Sequence, residues 1–82
     1  MNQVFSISPT VKALVDRWPS PIVARAEVKK FSGGAITGRY LANLDSAGSG
    51  PPGAFRLGGK VVYETAGLAE WLGARAKPLK GE

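Results

Sequence analysis

A pair of adjacent glycines in the second half of the chain constrains the fold more than any other feature of the sequence. Gly58-Gly59 separates two short segments, 54–57 and 60–63, that contain mostly apolar residues. Two glycines suit the primed two-residue turns whose backbone matches the twist of paired strands. The pattern therefore predicts a β-hairpin over residues 54–63.

The two-residue turn also predicts which side chains of the hairpin share a face. Phe55, Leu57 and Val62 fall on one side of the paired strands, and we assign that side to the core. Arg56 then points the other way, and Lys60 lies beside the turn. The hairpin is thereby expected to bury three apolar residues and to expose two cations.

Helical spacing of apolar residues predicts a helix near the start of the chain. Ser8 is an N-cap residue and is followed by proline at the first helical position. Pro19 ends this helix, because proline disfavours a helical conformation of the residue before it. The inward stripe of the helix consists of Val11, Leu14, Val15 and Trp18.

Two more helices are predicted before the hairpin. The first spans about residues 25–31 and ends at Gly33-Gly34, because glycine adopts the left-handed backbone that terminates helices. Its buried face is predicted to hold Ala24, Val28 and Phe31. Thr37, a good N-cap, begins the second helix. The inward residues of that helix are Tyr40, Leu41 and Leu44, and its outward residues are Arg39, Ala42, Asn43 and Ser46.

A last helix is predicted over about residues 66–76, with Thr65 as its N-cap. One side of it carries Leu68, Trp71, Leu72 and, at the edge, Arg75. We divide the chain into an N-terminal helix with its connector (1–21), a central domain (22–76) and a frayed tail (77–82). Two short helices followed by a hairpin are the order of a winged helix-turn-helix, so we expect a mainly α fold with a small β-hairpin.

Positive charge is concentrated in the middle of the chain. The formal net charge is +5, from 11 Lys+Arg and 6 Asp+Glu. Residues 22–63 carry six cations against two carboxylates, whereas residues 64–82 are neutral. A charge excess tied to one structural unit favours a binding face for a polyanion, which is usually a nucleic acid.

Missing residue types exclude several classes of function. The chain has no Cys and no His, which removes disulfides, thiolate metal ligands and imidazole bases, so we expect no enzyme, metal or cofactor. The G-x-G-x-x-G match at residues 48–53 is not a nucleotide loop, because no strand precedes it and Pro51-Pro52 removes two amides. Without a signal peptide or a membrane-length apolar run, we expect a cytoplasmic protein that does not bind membranes.

The helix that begins at Thr37 has the residue types that read base pairs. Gly38, Arg39 and Asn43 are short or hydrogen-bonding, as the N-terminal end of a recognition helix requires. Arginine can bridge O6 and N7 of guanine, and asparagine can bridge N6 and N7 of adenine. We therefore predict that this helix binds the major groove of double-stranded DNA.

The hairpin and the short second helix supply the expected phosphate contacts. Arg56 and Lys60 flank a turn narrow enough to lie on a phosphate backbone or in a minor groove. With Lys29 and Lys30, the protein would neutralise about four to six phosphates, for which the log–log salt slope of affinity is roughly −4 to −5. The predicted mechanism is non-covalent binding.

Two other functions remain open at this point. A protein-interaction adaptor would bind an acidic partner through the basic face and an apolar surface along Val11, Leu14 and Trp18. A single-stranded nucleic acid would instead need aromatic side chains as a stacking platform. The larger aromatic residues fall mostly at inward positions, which favours core packing. They are Trp18, Phe31, Phe55, Tyr63 and Trp71.

Residues 22–72 resemble a known family over about 50 of the 82 residues. The resemblance is carried by IVARAEVKKF in the first central helix, TGRYLANLD in the next, and FRLGGKVVYETAGLAEWL in the hairpin and closing helix. These segments are similar to the excisionase and AlpA-like group of small MerR-type winged helix-turn-helix DNA-binding proteins of bacteriophages and mobile elements. The segments 32–36 and 49–53 are longer than in that group.

The resemblance implies a recognition helix in the major groove and a hairpin, the wing, on the backbone or in the minor groove. It also implies an excisionase that assists an integrase, or a transcription regulator that meets RNA polymerase, at the bacterial nucleoid. We expect a monomer that binds DNA cooperatively. The recognition-helix residues so implied are Thr37, Gly38, Arg39 and Asn43. The wing residues so implied are Arg56, Gly58, Gly59 and Lys60. Apart from the resemblance, we predict phosphate contacts of the first central helix at Arg25, Lys29 and Lys30.

Overall fold

A three-stranded antiparallel sheet and helices on its core side form a small α+β domain. The structure, a computed structural model, describes residues 7–77 and residue 79. The sheet has the strand order β1-β3-β2, with the longest strand in the middle. In chain order, the elements of the described residues are α1 (Ile7–Arg17), β1 (Ile22–Ala24), a 3-10 turn (Arg25–Glu27), α2 (Val28–Phe31), α3 (Gly38–Ser46), β2 (Phe55–Leu57), β3 (Lys60–Glu64) and α4 (Thr65–Arg75).

The predicted hairpin is confirmed, including its two-residue turn. Leu57 pairs with Lys60 in the register of β2 and β3, so Gly58 and Gly59 alone make the connection. Both glycines have positive φ, +60° and +83°, as a type I′ turn requires at both central positions. A side chain at either position would strain this turn.

The predicted burial of one hairpin face is confirmed for Val62, which is 2% exposed, but it is wrong for the two residues of β2. Phe55 does share a face with Val62, but Phe55 is 42% exposed and Leu57 is 52% exposed. The core lies against the opposite face, where Tyr63 is 1% exposed and pairs with Val23 of β1. The two strands favour opposite faces, because the charged residues of β3 lie on the same side as the apolar residues of β2, so the pattern of β2 alone does not determine which face the helices cover.

Arg56 therefore lies on the core side of the sheet, although it was expected on the other side. It is paired with Val61, and both belong to the face that also carries Tyr63. The side chain of Arg56 remains exposed, and the strand that carries it is at an edge of the sheet.

Strand β1 was not predicted, and it changes the expected mainly α fold with a hairpin into an α+β fold. Ile22–Ala24 is only three residues long and is followed directly by the 3-10 turn, so no alternation was visible in the sequence. Pairing with β3 buries Val23 completely. Ala24, which was expected on a helix face, belongs to this strand.

Helix α1 packs against α4 and against the central core. Val11, Leu14 and Val15 are half-buried there, as the helical spacing predicted. Trp18 meets Phe31 edge to face, with ring centroids 5.4 Å apart, and its Nε1 donates to the carbonyl of Ile22 at 2.9 Å. The helix begins at Ile7, so the expected N-cap Ser8 lies inside it.

Helix α3 begins as predicted, with Thr37 as its N-cap. The hydroxyl oxygen of Thr37 accepts a hydrogen bond from the amide of Tyr40 at 3.1 Å, and Leu41 is fully buried in the core. Tyr40 was expected to point inward, but it is 39% exposed. It lies about 100° around the helix from Leu41, toward one flank of α3.

Helix α4 begins one residue earlier than predicted, and Thr65 is not its N-cap. Thr65 is the first helical residue and is buried. Its hydroxyl donates to the carbonyl of Ser20 at 2.7 Å and its amide donates to the carbonyl of Pro21 at 2.8 Å, so it ties α4 to the segment before β1. Of the expected frayed tail, positions 78 and 80–82 lie outside the described residues.

Candidate nucleic-acid interface

Helix α3 and the hairpin meet along a shallow groove, which we call the α3–hairpin groove. The N-terminal part of α3 contributes Gly38 and Arg39, and the hairpin contributes Gly59 and Lys60. Arg25, from the 3-10 turn, lines the groove as well, so the structure brings together five of the residues assigned to DNA binding, from three separate segments. The remaining lining residues are Ala24, Ala26, Ala42 and Val61.

The outward face of α3 carries the two residues predicted to read bases. Leu41 points into the core, and each residue of an α-helix turns by about 100°. Arg39 and Asn43, one turn apart, consequently face away from the core, and both are exposed. An arginine and an asparagine on one exposed helical face can reach adjacent base edges in a major groove.

Gly38 holds α3 close to the 3-10 turn, a structural role besides the predicted contact with DNA. A Cβ atom at this position would lie 2.5 Å from the carbonyl oxygen of Arg25, far inside van der Waals contact. The absence of a side chain therefore determines how closely the start of α3 approaches the strand β1 and its turn.

Three side chains from distant parts of the chain form a hydrogen-bonded network behind the α3–hairpin groove. Arg25 Nη2 donates to Asp45 Oδ2 at 2.6 Å, and Arg25 Nε donates to the hydroxyl of Tyr63 at 3.0 Å. The hydroxyl of Tyr63 donates in turn to Asp45 Oδ2 at 2.7 Å. The network joins the 3-10 turn, α3 and β3.

Sequence reasoning missed this network. Its members are 18 to 38 residues apart, and no local pattern links them. Arg25 had been expected to contact a phosphate, but two of its donor nitrogens bind within the protein. Arg25 thus lines the groove while its guanidinium is bound to Asp45 and Tyr63, and its contact with DNA stays a prediction.

The network shifts the pKa values of two of its members upward. The hydrogen bond with Tyr63, assisted by Asp45, raises the pKa of Arg25 against the opposing effect of burial. Burial raises the pKa of Tyr63, and its hydrogen bond to Asp45 adds to the shift, while Arg25 opposes it. Both shifts favour the network in which Arg25 is charged and Tyr63 is neutral.

We expect the raised pKa of Tyr63 to make the domain lose stability in alkaline solution. In the unfolded chain the phenol ionises near its ordinary pKa of about 10, before the folded phenol does. The stabilisation is complete below that pH and is lost as the pH rises through the folded pKa. The measurement is the denaturation midpoint from about pH 8 to 11 for the wild type and for Tyr63→Phe. The same decrease in both proteins would contradict the prediction.

The predicted phosphate contacts of α2 lie next to the α3–hairpin groove rather than inside it. Lys29 and Lys30 are exposed and line a separate shallow depression with Gly33 and Gly34. Ala26 lines both depressions, so the two are neighbours. In a complex with DNA, these two lysines can contact phosphates next to those that face the α3–hairpin groove.

Arg56 does not share a groove with Lys60. It lies in a depression between the loop after α3 and the hairpin, together with Arg25 and Asp45. Arg25 and Val61 line both this depression and the α3–hairpin groove. The two cations of the hairpin thus lie in neighbouring depressions rather than side by side.

The α3–hairpin groove is positively charged, since its described lining residues include Arg25, Arg39 and Lys60 and no carboxylate. Among the described residues, ion pairs join Lys12 to Asp16 and Arg25 to Asp45; Arg39 and Lys60 are in neither. Within the same residues, no group of three or more acidic side chains could hold a metal ion. No helix in the described part of the chain has the length and hydropathy needed to cross a membrane.

Comparison of the chain with protein-family models, with curated proteins and with solved structures finds no match.

Proposed function

We propose that the protein is a winged helix-turn-helix that binds double-stranded DNA sequence-specifically. In this proposal α3 is the recognition helix and the β2–β3 hairpin is the wing. The observation that carries the proposal is the α3–hairpin groove, which Arg39 of a capped helix and Lys60 of a type I′ hairpin both line, with no carboxylate among its described lining residues. In this proposal α3 contacts the bases, and the hairpin contacts the phosphates.

The connection between α2 and α3 supports the helix-turn-helix part of the proposal. The segment 32–36 is long for such a turn, but hydrogen bonds close it. The hydroxyl of Ser32 donates to the carbonyl of Ile36 at 3.3 Å and accepts from the amide of Ile36 at 3.1 Å. A turn held by its own side chain gives α3 a defined direction relative to α2.

Different residues contact the bases and the phosphates in the proposed complex. The exposed pair of Arg39 and Asn43 offers donors and acceptors to base edges in a major groove. Lys60, with Lys29 and Lys30 on the adjacent depression, supplies charge to the phosphates, which fixes position and carries no sequence information. The excess positive charge of the chain adds a non-specific attraction.

The resemblance to excisionase and AlpA-like proteins extends the proposal. It favours a recombination directionality factor or a transcription regulator of a phage or mobile element. The protein would act in the bacterial cytoplasm, at the nucleoid, with an integrase or RNA polymerase as its partner. A recognition helix of nine residues reads few base pairs, so a monomer would gain specificity by cooperative binding to repeated sites.

The expected salt dependence tests the proposal first. Affinity for a labelled random duplex should fall steeply between about 50 and 200 mM salt, with a log–log slope of roughly −4 to −5, because phosphate contacts release counterions. Fluorescence anisotropy measures it directly. Failure to bind at the lower salt concentration would reject the DNA-binding function and favour the alternative, an adaptor that binds an acidic protein partner.

The adaptor alternative is weakened by the packing of its predicted surface. Val11 and Leu14 were expected to contact a partner, but both are half-buried against the domain core. The ring of Trp18 packs edge to face on Phe31, and its Nε1 donates a hydrogen bond to the carbonyl of Ile22. These three side chains stabilise the domain itself, which leaves less of them for a partner.

A further inference from the structure

Helix α3 has two flanks, and a second cationic group lies on the flank opposite the hairpin. Tyr40 projects from the first turn of α3, and its hydroxyl accepts a hydrogen bond from Arg75 Nη2 at 3.4 Å. The guanidinium carbon of Arg75 lies 4.6 Å from the centre of the Trp71 ring. Three side chains from α3 and α4 thus hold one another at the surface.

The helical periodicity of α3 shows on which side of the helix Tyr40 lies, relative to the outward-facing residues and to the hairpin. Arg39 and Asn43 define the outward direction. Gly38 and Ala42 are turned from it toward the hairpin, where they line the α3–hairpin groove. Tyr40 is turned by a similar angle to the other side, since successive residues differ by about 100°.

A duplex presents phosphates at both flanks of a helix that occupies its major groove. The groove is about 12 Å wide and a helix with its side chains is about 10–12 Å in diameter, so both backbones come close to the helix. The hairpin and Lys60 face one backbone in the proposed complex. The Tyr40–Arg75 pair faces the other.

The chemistry of the pair suits a phosphate. A guanidinium offers several donors in a planar fork, and stacking on an aromatic ring orients that fork before a ligand arrives. Arg75 is exposed and is in neither of the ion pairs of the described residues. The depression that Tyr40 and Arg75 border is otherwise mostly apolar; among the described residues, Lys77 is its other cation and no Asp or Glu lines it, so no lining carboxylate opposes a phosphate there.

We propose that Arg75 and the hydroxyl of Tyr40 bind a backbone phosphate of duplex DNA on the flank of α3 opposite the hairpin. This inference rests on the proposed function. Arg75 donates to a phosphate oxygen through its free N–H groups. The hydroxyl of Tyr40, which accepts from Arg75, donates its own proton to the same phosphate.

The test compares the salt dependence of variants by anisotropy on a random duplex. Arg75→Gln should bind about tenfold more weakly than the wild type near 50 mM salt and should reduce the steepness of the log–log slope by about 0.9, the loss of one phosphate contact. Tyr40→Phe should weaken binding with an unchanged slope, because no charge is lost. Arg75→Lys should also keep the slope but lose affinity with the planar fork.

The charge-matched control is Lys12→Gln on α1, which removes one positive charge at an exposed residue paired with Asp16. If Arg75→Gln and Lys12→Gln bind alike, this inference is wrong while the proposed function stands. If the wild type itself does not bind duplex DNA, both are wrong. An equal effect of Arg75→Gln on a single strand would also overturn the inference, since the second backbone exists only in a duplex.

Discussion

Replacing Asp45 with alanine is expected to lower the free energy of unfolding by about 1–3 kcal/mol. The carboxylate of Asp45 accepts hydrogen bonds from Arg25 and Tyr63, so its removal leaves a half-buried guanidinium and a buried phenol without their acceptor. The side chains of the Arg25–Asp45 ion pair are partly exposed, at 29% and 23%. We therefore expect its contribution to the free energy of unfolding to lie between those of surface and core pairs. Chemical denaturation measures the loss.

Asp16→Ala is the matched control for this stability prediction. Asp16 forms the same type of ion pair with Lys12, but both side chains are mostly exposed, at 58% and 76%. Such pairs contribute about 0–1 kcal/mol. A cost for Asp45→Ala no larger than that of Asp16→Ala would mean that the network does not hold α3 to the sheet.

Arg39→Ala is expected to cost about 1–3 kcal/mol of binding free energy on the preferred DNA sequence, or about tenfold or more in Kd. The loss should be much smaller on random DNA, because a base contact discriminates sequences while a phosphate contact does not. The measurement is Kd for a duplex selected from a random pool and for an unselected duplex of equal length. Both are titrated at one salt concentration.

Lys60→Ala provides the contrast on the other side of the α3–hairpin groove. It should weaken binding to the selected and the random duplex by the same factor, since its contact is a phosphate. Equal losses on the two duplexes for Arg39→Ala would remove Arg39 from base reading, even if DNA binding itself is retained.

Local signals in the sequence were enough to predict most of the elements. The type I′ turn at Gly58-Gly59 follows from two residues that tolerate positive φ, and the start of α3 follows from Thr37 as an N-cap. The spacing of Val11, Leu14 and Val15 placed α1 against the core. Each of these depends on conformational preferences within a few residues, which do not change with the rest of the fold.

The candidate site could be predicted in composition but not in arrangement. The sequence indicated that Arg39 and Lys60 are exposed cations near a helix start and a turn. It did not indicate that they border one groove, or that Arg56 lies in another. Arg56 and Lys60 lie on opposite faces of the hairpin, and the position of α3 relative to those faces depends on tertiary packing, which no local pattern encodes.

By itself, the sequence determined the type I′ turn, the N-cap of α3 and the apolar stripe of α1, because backbone preferences and short-range side-chain spacing act over single turns. Only the tertiary structure decided that β1 pairs with β3, that Tyr63 rather than Phe55 is buried, and that Tyr40 lies on a flank of α3. The apolar residues of β2 favour one face of the hairpin and those of β3 favour the other, since Lys60 and Glu64 lie on the same face as Phe55. The choice is made by the helices that pack on it, through burial and hydrogen bonds between residues that are far apart in the chain.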